Sequence, residues 1–222
     1  MKLIGMLDSP YVRRVAISLK TLDIPFEHAA ISVFRGFEAF QAINPVVKAP
    51  TLVLDDGEVL MDSSLIIEYL EALSGPGNSL LPTALPQRQR ALRLIGLALA
   101  ACEKSVQIYY ERNLRPAEKQ HAPWLERVSG QLHAAYSALE RELEKQPLRM
   151  DGRLEQDGIT LAVAWSFTQL VVADQVDVAQ FPRISEFTAY AEQLPAFIET
   201  PLNCLFVLAT RASSRASSRR RW

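Results

Sequence analysis

The sequence predicts an α/β domain with the element order βαβαββα, followed by an all-α domain. All segments with strand-like patterns lie before residue 75, a stretch rich in glycine and proline spans residues 74–86, and the patterns after it are helical. We therefore expect an α/β domain at residues 1–75, a linker at 76–86, an all-α domain at 87–210 and a basic low-complexity tail at 211–222.

The composition is typical of a soluble globular protein, with 49% hydrophobic and 22% charged residues among 222. The net charge of −1 gives no electrostatic reason to expect nucleic acid or an acidic membrane as a partner. Cys102 and Cys204 are too far apart for a disulfide framework or a metal-binding motif, which favours a reducing, cytoplasmic location and no metal. The first residues show no signal-peptide pattern, and the apolar stretch 92–101 is too short to span a bilayer.

The chain is organised around the stretch Ser9-Pro10-Tyr11-Val12-Arg13-Arg14. A short apolar run precedes it and a helical pattern follows, so we expect a strand, a turn and a helix. The spacing i, i+3, i+4, i+7 predicts one buried stripe, with the polar residues on the other side of the helix. The predicted stripe is Val12, Val15, Ala16, Leu19 and Leu22, and the polar residues expected elsewhere are Arg13, Arg14, Ser18 and Lys20.

Ser9 stands at the N-terminus of this helix, because Pro10 is typical of the first helical position. A hydroxyl there faces free backbone N–H groups and the positive end of the helix dipole, where a bound anion or thiolate is stabilised. The alternative is that Ser9 only caps the helix.

The segment 26–31 predicts a second strand, parallel to the first because a helix connects them. His28 on this strand could be a ligand or a base, but no carboxylate or cysteine is next to it, which favours a structural role. A weaker helical segment at 36–43 ends at Asn44-Pro45, since the residue before proline avoids helical geometry.

Pro50 opens a segment that otherwise has a good strand pattern, and it removes a backbone donor there. If Ala49-Pro50 is cis, the chain turns tightly and the backbone of Ala49 is free to pair with an extended peptide ligand. The alternative is an ordinary trans proline at the start of a strand. Asp55-Asp56-Gly57 predicts a hairpin that pairs residues 51–54 with 58–61.

Asp62-Ser63-Ser64 begins the next helix, for which we expect a buried stripe of Leu65, Ile66, Tyr69, Leu70 and Leu73. A helix N-terminus beside a carboxylate suits a zwitterion: the N–H groups and the Ser63 hydroxyl bind its carboxylate, and Asp62 binds its ammonium group. Simple capping by these residues is the alternative.

Helical patterns occupy the second half at residues 87–112, 123–145, 160–173, 182–194 and 196–209. The third is the most apolar and should therefore be central. The tail 211–222 has no apolar face, so a solvated tail is favoured over a basic arm for RNA or membrane.

These features together resemble the cytosolic glutathione S-transferases of bacterial type, over roughly residues 1–210. The matching residues are Ser9 to Val15, Asn44-Pro45 with Lys48 to Leu52, and Asp62-Ser63-Ser64 leading into Ile66 to Leu70. The resemblance implies a thioredoxin-like N-terminal domain and an all-α C-terminal domain. Ser9-Pro10-Tyr11-Val12 stands where thioredoxin-fold redox proteins carry Cys-Pro-Tyr-Cys. Without either sulfur, dithiol exchange is excluded and the site resembles the serine-type transferases.

What the resemblance implies is a detoxifying transferase in which Ser9 is catalytic, donating a hydrogen bond to the sulfur of the co-substrate glutathione. Ala49 should pair with the cysteinyl part, Asp62 and Ser63 should hold the γ-glutamyl end, and Lys48 could reach the glycyl carboxylate. The predicted glutathione-binding residues are Ser9, Tyr11, Lys48, Ala49, Pro50, Asp62 and Ser63.

The small, hydrophobic electrophile is expected against the helix that starts at Gln87. Tyr109, Tyr110 and Trp165 are candidates for this wall, although aromatic residues at such positions more often belong to the core. The family usually has a Ser/Thr-x-x-Asp capping box at the start of its central helix. Here Thr160 matches the first position of this box, but Val163 stands where the acid is expected. A homodimer is also implied. A glutathione-dependent isomerase or dehalogenase would use the same thiolate, and a non-catalytic binding or regulatory protein is the rival from another class.

Overall fold

A four-stranded mixed sheet forms the centre of the first half of the chain in the computed structural model, which describes residues 1–202. The strands lie in the order β2-β1-β3-β4. β1 and β2 are parallel, as a βαβ unit requires, and β3 is antiparallel to both β1 and β4. The elements of this half are β1 Lys2–Ile4, α1 Pro10–Thr21, β2 Glu27–Ala29, α2 Phe37–Ile43, β3 Thr51–Val53, β4 Val59–Met61 and α3 Ser63–Ser74.

The predicted hairpin is confirmed, since Leu52 on β3 lies opposite Leu60 on β4. Its turn passes through Gly57, which has a φ of +92°, a backbone conformation that glycine adopts with little strain. His28 pairs in register with Leu3, and its Nε2 lies 2.7 Å from the carbonyl oxygen of Gly5. This histidine therefore holds two neighbouring strand ends together, in agreement with the structural role.

The second half is helical, so the predicted fold class is confirmed. Its helices are α4 Leu85–Asn113, α5 Ala122–Lys145, α6 Gln156–Val171, α7 Pro182–Ala191 and α8 Pro195–Ile198. Helix α6 is the central one: every residue from Gln156 to Trp165 is buried. The Tyr136 hydroxyl on α5 lies 3.0 Å from the carbonyl oxygen of Ala164 and 2.6 Å from Oγ1 of Thr168, which ties α5 to α6 through buried hydrogen bonds.

The predicted N-cap of the central helix was wrong. Helix α6 begins at Gln156, so Thr160 lies in its second turn and donates its hydroxyl to the Gln156 carbonyl oxygen at 2.7 Å. The residue at the N-cap position is Glu155, which makes no side-chain capping bond. Sequence pattern alone placed the start too late because Gln156 and Asp157 are polar, although both are buried.

The last predicted helix is also shorter than expected. Helix α8 ends at Ile198, and residues 199–202 are not helical. The remainder of the predicted helix, with Cys204, and the tail 211–222 lie outside the described residues.

Helix α3 buries only two residues of the predicted stripe, Ile66 and Leu70. Ile66, Ile67 and Leu70 are buried, whereas Leu65, Tyr69 and Leu73 have 62%, 37% and 53% of their surface exposed. The helix carries apolar residues on most of its circumference, so periodicity could not identify the face that packs on the sheet.

Helix α1 is buried on both sides, because it packs against β1 and α3 in the first half and against α6 and α8 in the second. Arg13, Arg14 and Ser18, expected outside the buried stripe, are therefore buried as well. Ser18 Oγ lies 3.0 Å from the side-chain oxygen of Gln156 on α6. The polar face of this amphipathic helix is thus an interface between the two halves.

Arg13 connects α1 to the end of the helical half through a paired set of hydrogen bonds. Its two terminal nitrogens each donate to one carboxylate oxygen of Glu192, both at 2.7 Å, and its Nε donates to the carbonyl oxygen of Thr200 at 2.8 Å. Burial by itself raises the pKa of Glu192, but the hydrogen bonds from Arg13 and Ser166 and the charge of Arg13 outweigh it, so the pKa lies below its usual value.

We expect Arg13→Met to lower the free energy of unfolding by about 2–4 kcal/mol, because it breaks a bidentate pair whose arginine is buried and leaves Glu192 without its cation. Thermal and urea unfolding measure the loss. The exposed pair of Arg183 and Glu186 is the control, and Arg183→Met should change stability by less than about 0.5 kcal/mol.

The same pair predicts a pH dependence. A carboxylate whose folded-state pKa is lowered contributes stability above its unfolded pKa of about 4.3, and this contribution is lost as the pH falls through the folded value. The stability difference between the wild type and Glu192→Gln should therefore be constant from about pH 7 to about pH 5 and shrink below about pH 4. A difference that does not depend on pH would contradict the pairing.

Candidate functional site

A cavity of about 960 Å³ lies between the sheet half of the chain and helices α4 and α6. Its walls come from the N-termini of α1 and α3, the loop before β3, the segment 31–34 and one face each of α4 and α6. Nine of the predicted site residues line it: Ser9, Tyr11, Lys48, Ala49, Pro50, Asp62, Ser63, Tyr109 and Tyr110.

Ser9 occupies the N-cap position of α1 in an extended conformation, with Pro10 as the first helical residue. Its carbonyl oxygen accepts the first helical hydrogen bond, from the N–H of Arg13 at 3.0 Å. Its hydroxyl, however, makes no capping bond. The side chain is therefore available to a molecule in the cavity, at the positive end of the helix dipole.

Gly5 lets the N-terminus of α1 and the loop before β3 approach each other closely. A Cβ atom on Gly5 would lie 2.6 Å from Cγ2 of Val12 and 3.2 Å from Cβ of Ala49, and its φ is +137°. A larger residue would force Val12 of α1 and Ala49 apart, so this glycine sets the spacing between α1 and the loop before β3.

The peptide bond between Ala49 and Pro50 is cis. Within residues 1–202, neither the backbone N–H nor the carbonyl oxygen of Ala49 makes a hydrogen bond, although the residue borders strand β3. Because Ala49 lines the cavity, these two groups can pair with an extended peptide there.

A buried amide holds the loop before Ala49 in place. Asn44 donates from Nδ2 to Oγ1 of Thr51 at 2.8 Å and accepts the N–H of Val46 at 3.0 Å, and the Thr51 hydroxyl donates to the Lys48 carbonyl oxygen at 2.7 Å. Asn44 is only 3% exposed. The loop is thus fixed from behind, while its other side lines the cavity.

Asp62 caps helix α3, whose N-terminus forms the wall next to this loop. Its Oδ1 accepts the N–H of Ser64 at 2.9 Å, and its Oδ2 lies 3.4 Å from Nζ of Lys48. Partial burial by itself raises the pKa of Asp62, but the Ser64 N–H and the Lys48 ammonium outweigh it, so the pKa lies below its usual value. Asp62 is therefore an anion near neutral pH, beside a helix N-terminus that favours anions.

The hydroxyls of Ser63 and Ser64 accept hydrogen bonds from Nη1 of Arg14 at 3.1 and 3.2 Å. Sequence reasoning missed Arg14, because a charged residue on an amphipathic helix is expected at the surface. It also missed Asp8 and Glu103, which line the cavity. Burial raises the pKa of the Asp8 carboxyl. The position of Asp8 directly before Ser9 was the available signal.

The wall opposite the sheet is apolar and comes from α4 and α6. Tyr110 is 41% exposed and its ring meets that of Phe34 edge to face at 5.9 Å, whereas Tyr109 is 5% exposed. Burial raises the pKa of the Tyr110 hydroxyl, so it is a neutral hydrogen-bonding group. The other residues of this wall are Gly96, Leu99, Ala100, Val106, Phe167, Leu170 and Val171.

Trp165, expected as a candidate for this wall, does not line the cavity. It is 4% exposed, and its ring packs edge to face against those of Tyr136 at 5.0 Å and Phe181 at 5.7 Å. Its neighbour Phe167 lines the cavity instead. The helical pattern could not distinguish these faces because α6 is buried around most of its circumference.

In the part of the chain that the structure describes, no group of three or more His, Cys, Asp or Glu residues could hold a metal ion. No helix within residues 1–202 combines the length and the hydrophobicity that crossing a membrane would require.

Comparison with known proteins points to one family. The sequence model described as "Glutathione S-transferase, N-terminal domain" matches residues 3–78. The chain is 30% identical to the maleylacetoacetate isomerase of Pseudomonas aeruginosa over 199 residues, which cover 85% of this chain and 89% of that protein. It is 28% identical to the uncharacterized GST-like protein YibF of Escherichia coli over 185 residues, 83% of this chain and 85% of that protein.

The fold agrees with a solved structure of the same kind. A glutathione S-transferase from Methylobacterium radiotolerans in complex with glutathione sulfonate matches with a TM-score of 0.82 at 26% identity, covering 90% of this chain and 93% of that one. The similarity therefore spans both halves of the described chain.

The Asn44 network predicts a local effect on the cavity. Asn44→Ala removes two buried hydrogen bonds from the loop and should lower the free energy of unfolding by about 1–3 kcal/mol. Hydrogen exchange should also become faster at Val46 and Val47, whose N–H groups bond to Asn44. Asn113→Ala is the control, because its amide bonds only to the end of α4. Unchanged exchange at Val46 and Val47 would contradict this role of Asn44.

Proposed function

The chain belongs to the glutathione S-transferase family, and we propose that it activates the thiol of glutathione for attack on a small hydrophobic electrophile. One observation carries the proposal. One cavity is lined by Ser9, whose hydroxyl makes no capping bond, by Ala49, whose backbone is unpaired within residues 1–202, and by the N-terminus of α3. This cavity is large enough for a tripeptide and a second molecule.

Ser9 acts on the sulfur in this proposal. A thiol with a pKa of about 8.5 is only about 3% ionised at pH 7, whereas a pKa of about 6.5 makes it roughly 75% ionised. A hydrogen bond from the Ser9 hydroxyl and the positive end of α1 both favour the thiolate. Neither the hydroxyl nor the helix N-terminus takes up the thiol proton. Their effect is to increase the fraction of bound glutathione that is thiolate at equilibrium.

The rest of glutathione is placed by groups with matching chemistry. The N–H and carbonyl of Ala49 pair with the cysteinyl backbone, as in addition of a strand to a sheet edge. Asp62 binds the γ-glutamyl ammonium, and Ser63 with the N-terminus of α3 binds the γ-glutamyl carboxylate. Pro50 and Tyr11 shape the walls beside the cysteinyl part.

Lys48 is assigned to the glycyl carboxylate. Its ion pair with Asp62 is long, at 3.4 Å, and both side chains are about half exposed, so the pair contributes little energy. Lys48 can therefore exchange this contact for a ligand carboxylate at small cost, which leaves Asp62 free for the ammonium group.

The electrophile is assigned to the apolar wall of α4 and α6, beside Tyr110 and Phe34. The chemistry of this wall favours a hydrophobic molecule, because its side chains are mainly aliphatic and aromatic. Tyr110 can donate a hydrogen bond to an oxygen of the electrophile. A cytoplasmic location is part of the proposal, because the cytosol maintains glutathione in its reduced form.

A second candidate function is glutathione-dependent isomerisation, which the similarity to a maleylacetoacetate isomerase favours. It would use the same thiolate and differ in outcome: an isomerase regenerates glutathione, whereas a transferase consumes it. Assays that follow both the electrophile and free glutathione separate the two. A protein that binds glutathione without turnover is the remaining rival.

We also propose a homodimer, on the basis of an exposed apolar surface. This surface, the β4–α3 face, consists of Val59, Met61, Leu65, Tyr69 and Leu73, which are 37–62% exposed. Leu85 and Leu92 are exposed on α4 as well, at 75% and 52%. Two such surfaces suit a twofold pair in which α3 of each copy meets α4 of the other. The exposed acid Glu68 on α3 and the exposed bases Arg88 and Arg93 on α4 have complementary charges.

Titration of glutathione into the purified protein tests the binding assignments. We expect the wild type to bind at submillimolar glutathione and Asp62→Ala to weaken binding about tenfold or more, through loss of a charged hydrogen bond. Asp56→Ala, which removes an exposed carboxylate in the hairpin turn, is the control and should bind normally. Absence of wild-type binding at millimolar glutathione would contradict the proposal.

Thiolate absorbance of bound glutathione tests the role of Ser9. Ser9→Ala should raise the thiol pKa by about one to two units and weaken the affinity at pH 7 only about three- to fourfold, because the hydroxyl favours the thiolate over the thiol. Ser137→Ala on the surface of α5 should change neither value. An unchanged thiol pKa in Ser9→Ala would exclude the proposed role.

Sedimentation velocity tests the dimer. The wild type should sediment at roughly twice the chain mass of 24.8 kDa, and a Leu65→Glu, Leu73→Glu double variant should be monomeric, since buried unpaired charges are costly. Leu114→Glu, which is exposed at the end of α4, should remain dimeric. A monomeric wild type at micromolar concentration would contradict the proposed association.

A further inference from the structure

Arg14 is a buried cation without a carboxylate partner. It is 2% exposed, and within residues 1–202 no carboxylate oxygen lies within 4.0 Å of its nitrogens. Its Nη1 donates to the hydroxyls of Ser63 and Ser64, and its Nε is buried with no hydrogen-bond partner among the described residues. Burial lowers the pKa of Arg14 to about 10, and it remains charged at neutral pH.

The adjacent arginine on the same helix shows what full pairing would look like. Arg13 is equally buried, at 1% exposed, but it has a bidentate carboxylate and a carbonyl acceptor. The two guanidiniums therefore differ in a way that burial does not explain. Arg13 has a carboxylate partner within the described residues, whereas Arg14 has none.

The location of Arg14 indicates where the counter-charge belongs. Ser63 lines the cavity at the N-terminus of α3, and Arg14 contacts it from the buried side. A serine hydroxyl that accepts a hydrogen bond from a guanidinium still has its own proton to donate. Since the accepted bond is charge-assisted, the Ser63 O–H becomes a stronger donor toward the cavity.

The charges around the cavity agree with this direction. Asp62 is the one carboxylate whose charge acts on the pKa of Arg14, and its own oxygens face the Ser64 N–H and Lys48. Two cations, Arg14 and Lys48, thus share one anion. The N-terminus of α3 adds further positive potential, so this wall is short of one negative charge.

We propose that Arg14 is a positioning residue for glutathione, whose γ-glutamyl carboxylate supplies the counter-charge that Arg14 lacks, through the Ser63 hydroxyl and the N-terminus of α3. This inference rests on the proposed function and extends it to a residue that lies behind the binding surface. It implies that Arg14 is kept for binding and not for stability, because an unpaired buried charge costs free energy in the unliganded protein.

The binding of two ligands to variants of Arg14 and Arg13 tests this assignment. Glutathione is compared by calorimetry with γ-aminobutyryl-cysteinyl-glycine, which keeps the ammonium group and lacks the carboxylate in question. Both are titrated into the wild type, Arg14→Met, Arg14→Lys and the control Arg13→Met. Arg14→Met should weaken glutathione binding about tenfold or more and the binding of the analogue less than about threefold.

Thermal unfolding without ligand separates a positioning role from a structural one. Arg14→Met should melt at the wild-type temperature or above it, since an apolar side chain replaces an unpaired charge. Arg13→Met should melt lower and leave the ratio of the two dissociation constants unchanged. Arg14→Lys should recover part of the lost glutathione affinity, because it retains the charge without the fork of donors.

Three results would overturn the inference. Equal weakening of both ligands by Arg14→Met would show that Arg14 does not act on the carboxylate, and unchanged glutathione binding would show that it takes no part. Failure of Arg14→Met to fold would also contradict it, since the inference makes Arg14 dispensable for stability. Failure of the wild type itself to bind glutathione is a different outcome, which contradicts the proposed function.

Discussion

The burial of helix α1 between the sheet and the helical half is the constraint on which the rest of the structure depends. An amphipathic helix ordinarily packs one face and leaves the other in water, but α1 packs both. Its second face is polar, so the buried polar side chains there need hydrogen-bond partners. Arg13 finds Glu192 and Thr200, and Ser18 lies beside Gln156. These contacts fix the N-terminus of α1, and therefore Ser9, relative to the wall formed by α4 and α6.

The site follows from the same arrangement. Gly5 allows α1 and the loop at Ala49 to come close together, and the Asn44 network holds that loop from behind. Asp62 and Ser63 approach from the third side at the N-terminus of α3. Two helix N-termini thus face one cavity, which makes it suited to a ligand that carries both a thiolate and a carboxylate. Arg14 links these features, because it leaves α1 and contacts the start of α3.

Much of the fold could be predicted from the sequence because its signals are local. The Asp56-Gly57 turn, the break rich in glycine and proline at residues 74–86 and the long helical repeats each depend on neighbouring residues alone. That the candidate site residues meet at one cavity could be predicted for a related reason. Ser9, Ala49 and Asp62 each allowed an ordinary structural interpretation, but a βαβ–ββα order places all three at one end of the sheet, and their conjunction resembles one family.

What could not be predicted depends on contacts between distant parts of the chain. Arg13 and Arg14 were expected outside the buried stripe because nothing near them in sequence indicates the second layer that covers α1. Leu65, Tyr69 and Leu73 were expected to be buried because α3 has apolar residues on several faces. Trp165 and Phe167 lie two residues apart on a helix buried on nearly all sides, and only the packed structure shows which of them meets the cavity.

A crystal structure of the protein with glutathione bound tests the central claim most directly. The account predicts that the sulfur lies within about 3.5 Å of Oγ of Ser9, that the cysteinyl backbone pairs with Ala49, and that the γ-glutamyl carboxylate lies at the N-terminus of α3 beside Ser63. A sulfur atom directed away from Ser9, or a tripeptide bound in the reverse direction with its γ-glutamyl end at Lys48, would contradict it.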